Sequence, residues 1–185
     1  MMTQKIPSKL LILSAFFLLS LTACSPKMSV FTKSLYEENG WSDSDLSHIQ
    51  FYLSDDVVLR RSLSKGETKI SSGKIKMVNG QRVEEIIFER GTPGVFIKRK
   101  KSNHFAVAFE DGDDTKYLVF GPNNSHAGDY TLLAIEWKGK RGIVKYDNKK
   151  WKTYNRGGVS KLLVDLKKIN QVSVKKRKVR GRKVE

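Results

Sequence analysis

The sequence predicts a mainly β protein, an antiparallel barrel or sandwich of nine or ten short strands with two short helices. Hydrophobic residues make up 39% of the chain and aromatic residues 10%, which is enough for a packed core. Short apolar segments recur between turn sequences such as Asn79-Gly80 and Asp147-Asn148, as expected of antiparallel strands. We expect a closed or nearly closed barrel first, because many short strands need their edges protected, and a two-sheet sandwich second.

Two segments change to a helical period. Ser42 with Asp45 three residues later forms a capping box, and the apolar residues that follow predict a helix over 42–53. The segment SKLLVDLKKIN, with Ser160 as its cap, predicts a second helix over 160–169.

Two hairpins have clear sequence signals. Asn79-Gly80 separates the segments KIKMV and QRVEEIIF, and this dipeptide is the strongest short hairpin signal. Lys101-Ser102-Asn103 separates GVFIKRK from HFAVAFE, which alternates large apolar and small residues as a half-buried strand does.

The amino terminus has the features of an export signal. Lys5 and Lys9 precede 14 uncharged residues, a run shorter than the ~20 needed to span a bilayer, so a retained membrane helix is the weaker alternative. The sequence Leu21-Thr22-Ala23-Cys24 resembles the lipobox of bacterial lipoproteins. The resemblance covers residues 1–24 and implies cleavage between Ala23 and Cys24, a diacylglyceryl group on the Cys24 sulfur and commonly a further acyl chain on the new amino terminus.

This resemblance gives the expected organisation and location. Residues 1–23 are the signal peptide, 24–40 a lipidated tether, 41–174 a single β-rich domain and 175–185 a basic tail. Cys24 is the only cysteine, so an exported form has no disulfide. We expect a lipid-anchored protein of the bacterial cell envelope. Because Ser25 rather than Asp follows the cysteine, the enterobacterial sorting rule of this family implies the outer membrane.

The sequence predicts no catalytic residue, no metal site and no cofactor. The three histidines are widely separated, and the chain contains neither a GxSxG elbow nor a phosphate-binding GxxxxGK[ST] loop. The acidic loop 110–114 could supply calcium ligands, but its spacing does not match an EF-hand and its composition suits a turn. We therefore expect a protein that is not an enzyme, with an envelope hydrolase as the third reading.

Basic residues indicate an anionic partner. The chain carries a net charge of +16. The tail holds seven basic residues that are predicted to contact an anionic surface: Lys175, Lys176, Arg177, Lys178, Arg180, Arg182 and Lys183. Such a tail is typical of nucleic-acid binding, but export argues against that partner. A mobile, solvated terminus is the simpler reading.

Aromatic residues near the end of the domain give a second candidate. Trp151, which lies between lysines, is predicted to be the exposed aromatic that could stack on a ligand, whereas Trp137 could be a cross-strand partner of Tyr146. The expected function is a non-catalytic structural or interaction module that docks an envelope protein at the membrane. The alternative is a binding protein for an anionic or sugar polymer of the envelope.

Overall fold

The described residues of the chain fold into two antiparallel sheets and three short α-helices. The computed structural model describes residues 27–64, 74–78, 80–101, 103–139, 141–154 and 160–172. Residues 170–172 are described by their backbone alone. The mainly β class is confirmed, and thirteen strands are present in these residues rather than nine or ten.

The first sheet has seven strands. Its order is β1 (Met28–Val30), β13 (Leu162–Asp165), β2 (Gln50–Leu53), β6 (Pro93–Lys101), β7 (His104–Ala108), β8 (Leu118–Asn123) and β9 (Asp129–Leu132). The helices are α1 (Lys33–Asn39), α2 (Asp43–Leu46) and α3 (Leu166–Val172), and a 3₁₀ turn spans Asn124–His126.

The second sheet has six strands. Its order is β10 (Glu136–Lys138), β11 (Arg141–Tyr146), β12 (Lys149–Thr153), β3 (Val57–Ser62), β5 (Gln81–Phe88) and β4 (Lys74–Val78). Both predicted hairpins are confirmed, since Val78 pairs with Gln81 and Lys101 with His104. Asn79 and Ser102, at the two turns, lie outside the described residues.

The arrangement is sandwich-like, so the first-choice barrel is wrong and the second choice is right. Isolated bridges pair Thr32 with Asp129 and Thr131 with Lys161. They bring the two edges of the seven-stranded sheet close together at these points, but no continuous ladder joins the edges. Within the described residues, β4 and β10 end the other sheet without pairing to the first. The strands are therefore divided between two sheets that pack together, as in a sandwich.

Both predicted helices are partly wrong. The capping box of Ser42 and Asp45 is present, but α2 ends at Leu46, and residues 50–53 form a strand in which Phe51 and Leu53 are buried. In the second segment, Leu162 and Val164 are buried on one side of β13, and helix begins only at Leu166. Alternate burial, period two, prevailed over the helical reading in both places.

The predicted tether also needs correction, because residues 28–40 are part of the fold. The Thr32 hydroxyl caps α1 by accepting the Leu35 N–H at 3.1 Å, and Gly40 ends it in the left-handed conformation. Phe31 is fully buried and stacks at 5.9 Å on Trp41. The domain therefore begins at about residue 28.

One hydrophobic core joins the sheets. Phe88 of the six-stranded sheet lies edge to face 6.0 Å from Phe109, which follows β7, and 5.4 Å from Tyr146 of its own sheet. Phe109 in turn lies 5.9 Å from Phe120 of the seven-stranded sheet. The core thus packs against one face of the six-stranded sheet and leaves most of the other face to solvent, with Val83 and Glu85 as buried exceptions.

Candidate anion-binding surface

The two faces of the six-stranded sheet differ sharply in composition. Directly opposite residues of an antiparallel pair lie on the same face, so the register assigns every side chain. The inner face carries the buried apolar residues Val57, Leu59, Ile86, Phe88, Val144, Tyr146 and Trp151. The outer face carries the basic residues Arg60, Lys74, Lys76, Lys138, Arg141, Lys145, Lys150 and Lys152, against only Glu85 and Glu136.

Three cross-strand pairs on the outer face join like charges. Lys145 lies opposite Lys150, Lys152 opposite Arg60, and Lys138 opposite Arg141. Directly opposite like charges destabilise a sheet by a few tenths to 1 kcal/mol each. Charge concentrated at a cost in stability is typical of a binding surface.

The lysines at the centre of this face have no acidic partner among the described residues. Ion pairs hold Lys138 to Glu136 at 3.4 Å, whereas Lys145, Lys150 and Lys152 form none in this part of the chain. All three are exposed. Strand geometry spaces them by about 5 Å across strands and 7 Å along a strand, a separation suited to repeated anionic groups.

An aromatic ring lies beside these charges. The guanidinium carbon of Arg60 is 4.7 Å from the centre of the Tyr154 ring, and that of Arg141 is 5.1 Å from it. These cation–π contacts hold both guanidinium groups in place at the surface. We call the group Arg60, Arg141, Lys145, Lys150, Lys152 and Tyr154 the basic face.

The acidic boundary of the basic face is Glu85. Its carboxylate accepts a 2.5 Å hydrogen bond from Arg60 and a second from Lys76. Burial alone raises the pKa of Glu85, but the hydrogen bonds from Lys76 and Arg60 outweigh it and hold this pKa below the ordinary value of 4.5. A trough of about 320 Å³ runs beside this cluster to Tyr154.

Trp151 is not the exposed aromatic, which corrects the sequence-based prediction. It is 1% exposed, lies opposite Val144 on the inner face, and donates its indole N–H to the Tyr146 carbonyl at 2.9 Å. The flanking Lys150 and Lys152 point outward because side chains alternate along a strand. In a strand, lysines on both sides of a tryptophan therefore indicate that the tryptophan faces inward.

Trp137 is the exposed tryptophan, and it does not pair with Tyr146. It is 42% exposed and lies opposite Gly142, where a Cβ atom would come within 3.0 Å of the indole ring. The small size of Gly142 makes room for the ring. The sequence offered no means of assigning this pair, because its register depends on how the chain turns after Lys138.

Several predicted site residues lie outside the described residues. These are Ala23, Cys24 and the tail residues Lys175, Lys176, Arg177, Lys178, Arg180, Arg182 and Lys183. Within the described ranges, no helix is long and apolar enough to cross a membrane.

The acidic loop serves as a turn. Asp113 accepts the Thr115 backbone N–H at 2.9 Å, and Glu110 accepts the Tyr146 hydroxyl at 2.5 Å and pairs with Lys116 at 3.2 Å. The described part of the chain contains no group of three or more metal-ligating side chains.

The comparisons with known proteins add no family. No protein-family model, curated protein or solved structure matches this chain. Function must therefore be argued from the lipobox resemblance and from the chemistry of the surfaces.

Proposed function

We propose that this protein is a lipid-anchored, non-catalytic binding module of the bacterial envelope, whose basic face binds an anionic polymer such as a phosphate- or carboxylate-bearing glycan. The observation that carries the proposal is the cluster of like charges on one face of a well-packed sheet. The sequence favoured a protein partner first, but the geometry supports the polymer better.

The anchor would hold the domain close to the bilayer. The lipobox resemblance implies acylation of Cys24, and each buried methylene contributes about 0.8 kcal/mol, so two or more chains give a stable anchor. Met28, which opens β1, lies four residues further on and can be at most about 14 Å away. The tether is thus residues 24–27 rather than 24–40.

The basic tail would start from the same end of the domain. Met28 pairs with Asp165, and α3 begins at the next residue and leads to the tail. We therefore propose that the seven basic residues of 175–185 contact the membrane that holds the lipid. Each contributes about 1 kcal/mol near an anionic surface before salt screening.

Mass spectrometry of the protein from its own cells tests the anchor. We expect the mature chain to begin at an acylated Cys24, and the Cys24→Ala variant to keep its signal segment and carry no diacylglyceryl group. An unmodified amino terminus in the wild type would overturn the anchored location.

Binding to a defined polyanion tests the basic face. The full-length chain in neutral detergent should bind dextran sulfate and not uncharged dextran. The variant Lys145→Gln/Lys150→Gln/Lys152→Gln should lose at least tenfold in affinity, since three charges leave the site. The matched control, Lys27→Gln/Lys167→Gln/Lys168→Gln, removes three exposed charges elsewhere and should bind within about twofold of wild type. Equal loss in both variants would reduce the effect to net charge and contradict a specific site.

A second candidate, docking of an envelope protein, has one observation in its favour. β4 is an edge strand, and its residues Ile75 and Met77 are 41% and 66% exposed. Within the described residues no strand pairs with its outer edge, and exposed apolar edges can accept a strand of a partner. A photo-crosslinking residue at Met77 in intact cells should then capture one protein, whereas the same residue at Lys168 should not.

A further inference from the structure

A groove at the junction of the two sheets is separate from the basic face except at one residue. It has a volume of about 460 Å³, within the range of small-molecule sites. Lys100 and Lys101 come from β6, His104 from β7, and Lys145 from β11. The seven-stranded sheet and β11 thus form its opposite walls.

The floor of the groove is an apolar segment that crosses from one sheet to the other. Leu133 donates its N–H to the Val119 carbonyl in β8 at 2.8 Å, and Ile135 donates to the Ile143 carbonyl in β11 at 2.7 Å. These two backbone bonds fix residues 133–135 across the junction. Ile135 is nevertheless 66% exposed, so its apolar side chain is accessible to a ligand in the groove.

Close packing beneath the floor shows that the groove is shaped by the fold. A Cβ atom at Gly121 would lie 2.7 Å from Leu133 Cδ1 and 2.8 Å from His104 Cδ2. Only a glycine lets these two side chains, which both line the groove, approach the strand so closely.

The polar end of the groove is entirely basic. Lys100 lies 4.7 Å from the centre of the Tyr117 ring, and Lys101 and Lys145 are exposed without an ion pair in the described chain. Among the residues that the structure describes, no acidic side chain lines the groove. Burial, and after it the nearby Lys101, lower the pKa of His104, so the positive charge at neutral pH comes from the lysines.

We propose that this groove binds a single-chain amphiphile with an anionic head group, the alkyl chain on Leu133, Ala134 and Ile135 and the head group among the lysines. Apolar surface alone would accept any alkyl chain, whereas three lysines without an acid select a negative head group. The inference does not depend on polymer binding, because Lys145 is the one groove residue that also belongs to the basic face.

Native mass spectrometry of the full-length chain tests the site. The protein is kept in excess dodecyl maltoside, which is a neutral amphiphile with the same alkyl chain and therefore acts as a competitor. The probe is dodecyl phosphate. We expect one retained dodecyl phosphate per protein and none of the cationic analogue dodecyltrimethylammonium. Equal retention of the two charged probes would overturn the proposal.

Two variants locate the site. Ile135→Ser removes exposed apolar surface from the floor and should weaken retention about tenfold or more, and Lys101→Gln should reduce the preference for the anionic probe. Ile87→Ser, at a half-exposed apolar residue of the outer face, is the matched control and should leave retention unchanged. Unchanged retention in Ile135→Ser, or equal loss in Ile87→Ser, would contradict this location. Dextran sulfate binding should be unaffected by Ile135→Ser, so failure of either proposal can be told from failure of the other.

Discussion

The inner and outer faces of the six-stranded sheet use the same strands for opposite purposes. The inner face places Val144 opposite Trp151 and packs both into the core, whereas the outer face places Lys145 opposite Lys150 and exposes both. Moving one residue along either strand changes a buried apolar pair into an exposed pair of like charges. The difference teaches that the apolar core packs against the inner face of this sheet, which leaves most of the outer face free to carry like charges that do not favour folding.

The largest expected effect comes from the inner face. Trp151→Ala removes a large, fully buried ring together with the hydrogen bond it donates to Tyr146, and should lower the free energy of unfolding by about 3–5 kcal/mol. Chemical denaturation measures this loss. Lys150→Ala, one residue away on the outer face, is the matched control and should change stability by no more than about 0.5 kcal/mol. Similar losses in the two variants would show that the faces are not divided as described.

A smaller effect is expected where the outer face holds its one buried carboxylate. Glu85→Gln weakens the interactions with Arg60 and Lys76 and should cost about 1–2 kcal/mol at pH 7, since both basic partners are partly exposed.

The pH dependence of this loss follows from the lowered pKa of Glu85. The carboxylate stabilises the fold above its ordinary pKa of 4.5, and this contribution disappears as the pH falls through the lower pKa of the folded state. Denaturation of wild type and Glu85→Gln between pH 7 and pH 3 should therefore show a difference that shrinks below about pH 4.5. A difference that is constant across this range would contradict the assigned ion pairs.

The smallest effect has the opposite sign. Lys150→Glu converts the pair with Lys145 into one of opposite charges and should stabilise the protein by about 0.2–1 kcal/mol while weakening polyanion binding. Lys168→Glu makes the same charge change on α3 and should affect binding little. A destabilised Lys150→Glu would mean that the outer lysines are not in conflict with one another.

The strand pattern was predictable from sequence because its signals are local. The hairpin at Asn79-Gly80 and the capping box at Ser42 were both found where turn and cap chemistry place them. The extents of the helices were not, because an apolar run such as that over 160–169 fits either period until tertiary pairing decides. Thr32 and Gly40 are the cap residues of α1 and are of types that commonly cap helices. This helix was not predicted because residues 24–40 were assigned to a tether.

The basic face was partly visible in the sequence. Alternation in KKWKTY places Lys150 and Lys152 on the side opposite Trp151, although Trp151 itself was predicted to be exposed. What sequence could not supply is the register, which depends on turns of unknown length and sets Lys145 opposite Lys150 and Lys152 opposite Arg60. The groove was out of reach for the same reason, since its walls come from strands far apart in the chain.

The salt dependence of dextran sulfate binding tests the central claim most directly. A plot of the logarithm of the affinity against the logarithm of salt concentration has a slope that grows with the number of lysines and arginines contacting the polyanion. For Lys145→Gln/Lys150→Gln/Lys152→Gln we predict a slope shallower than wild type by about two to three, while the control with substitutions at Lys27, Lys167 and Lys168 keeps the wild-type slope. Equal slopes for all three proteins would contradict binding at the basic face.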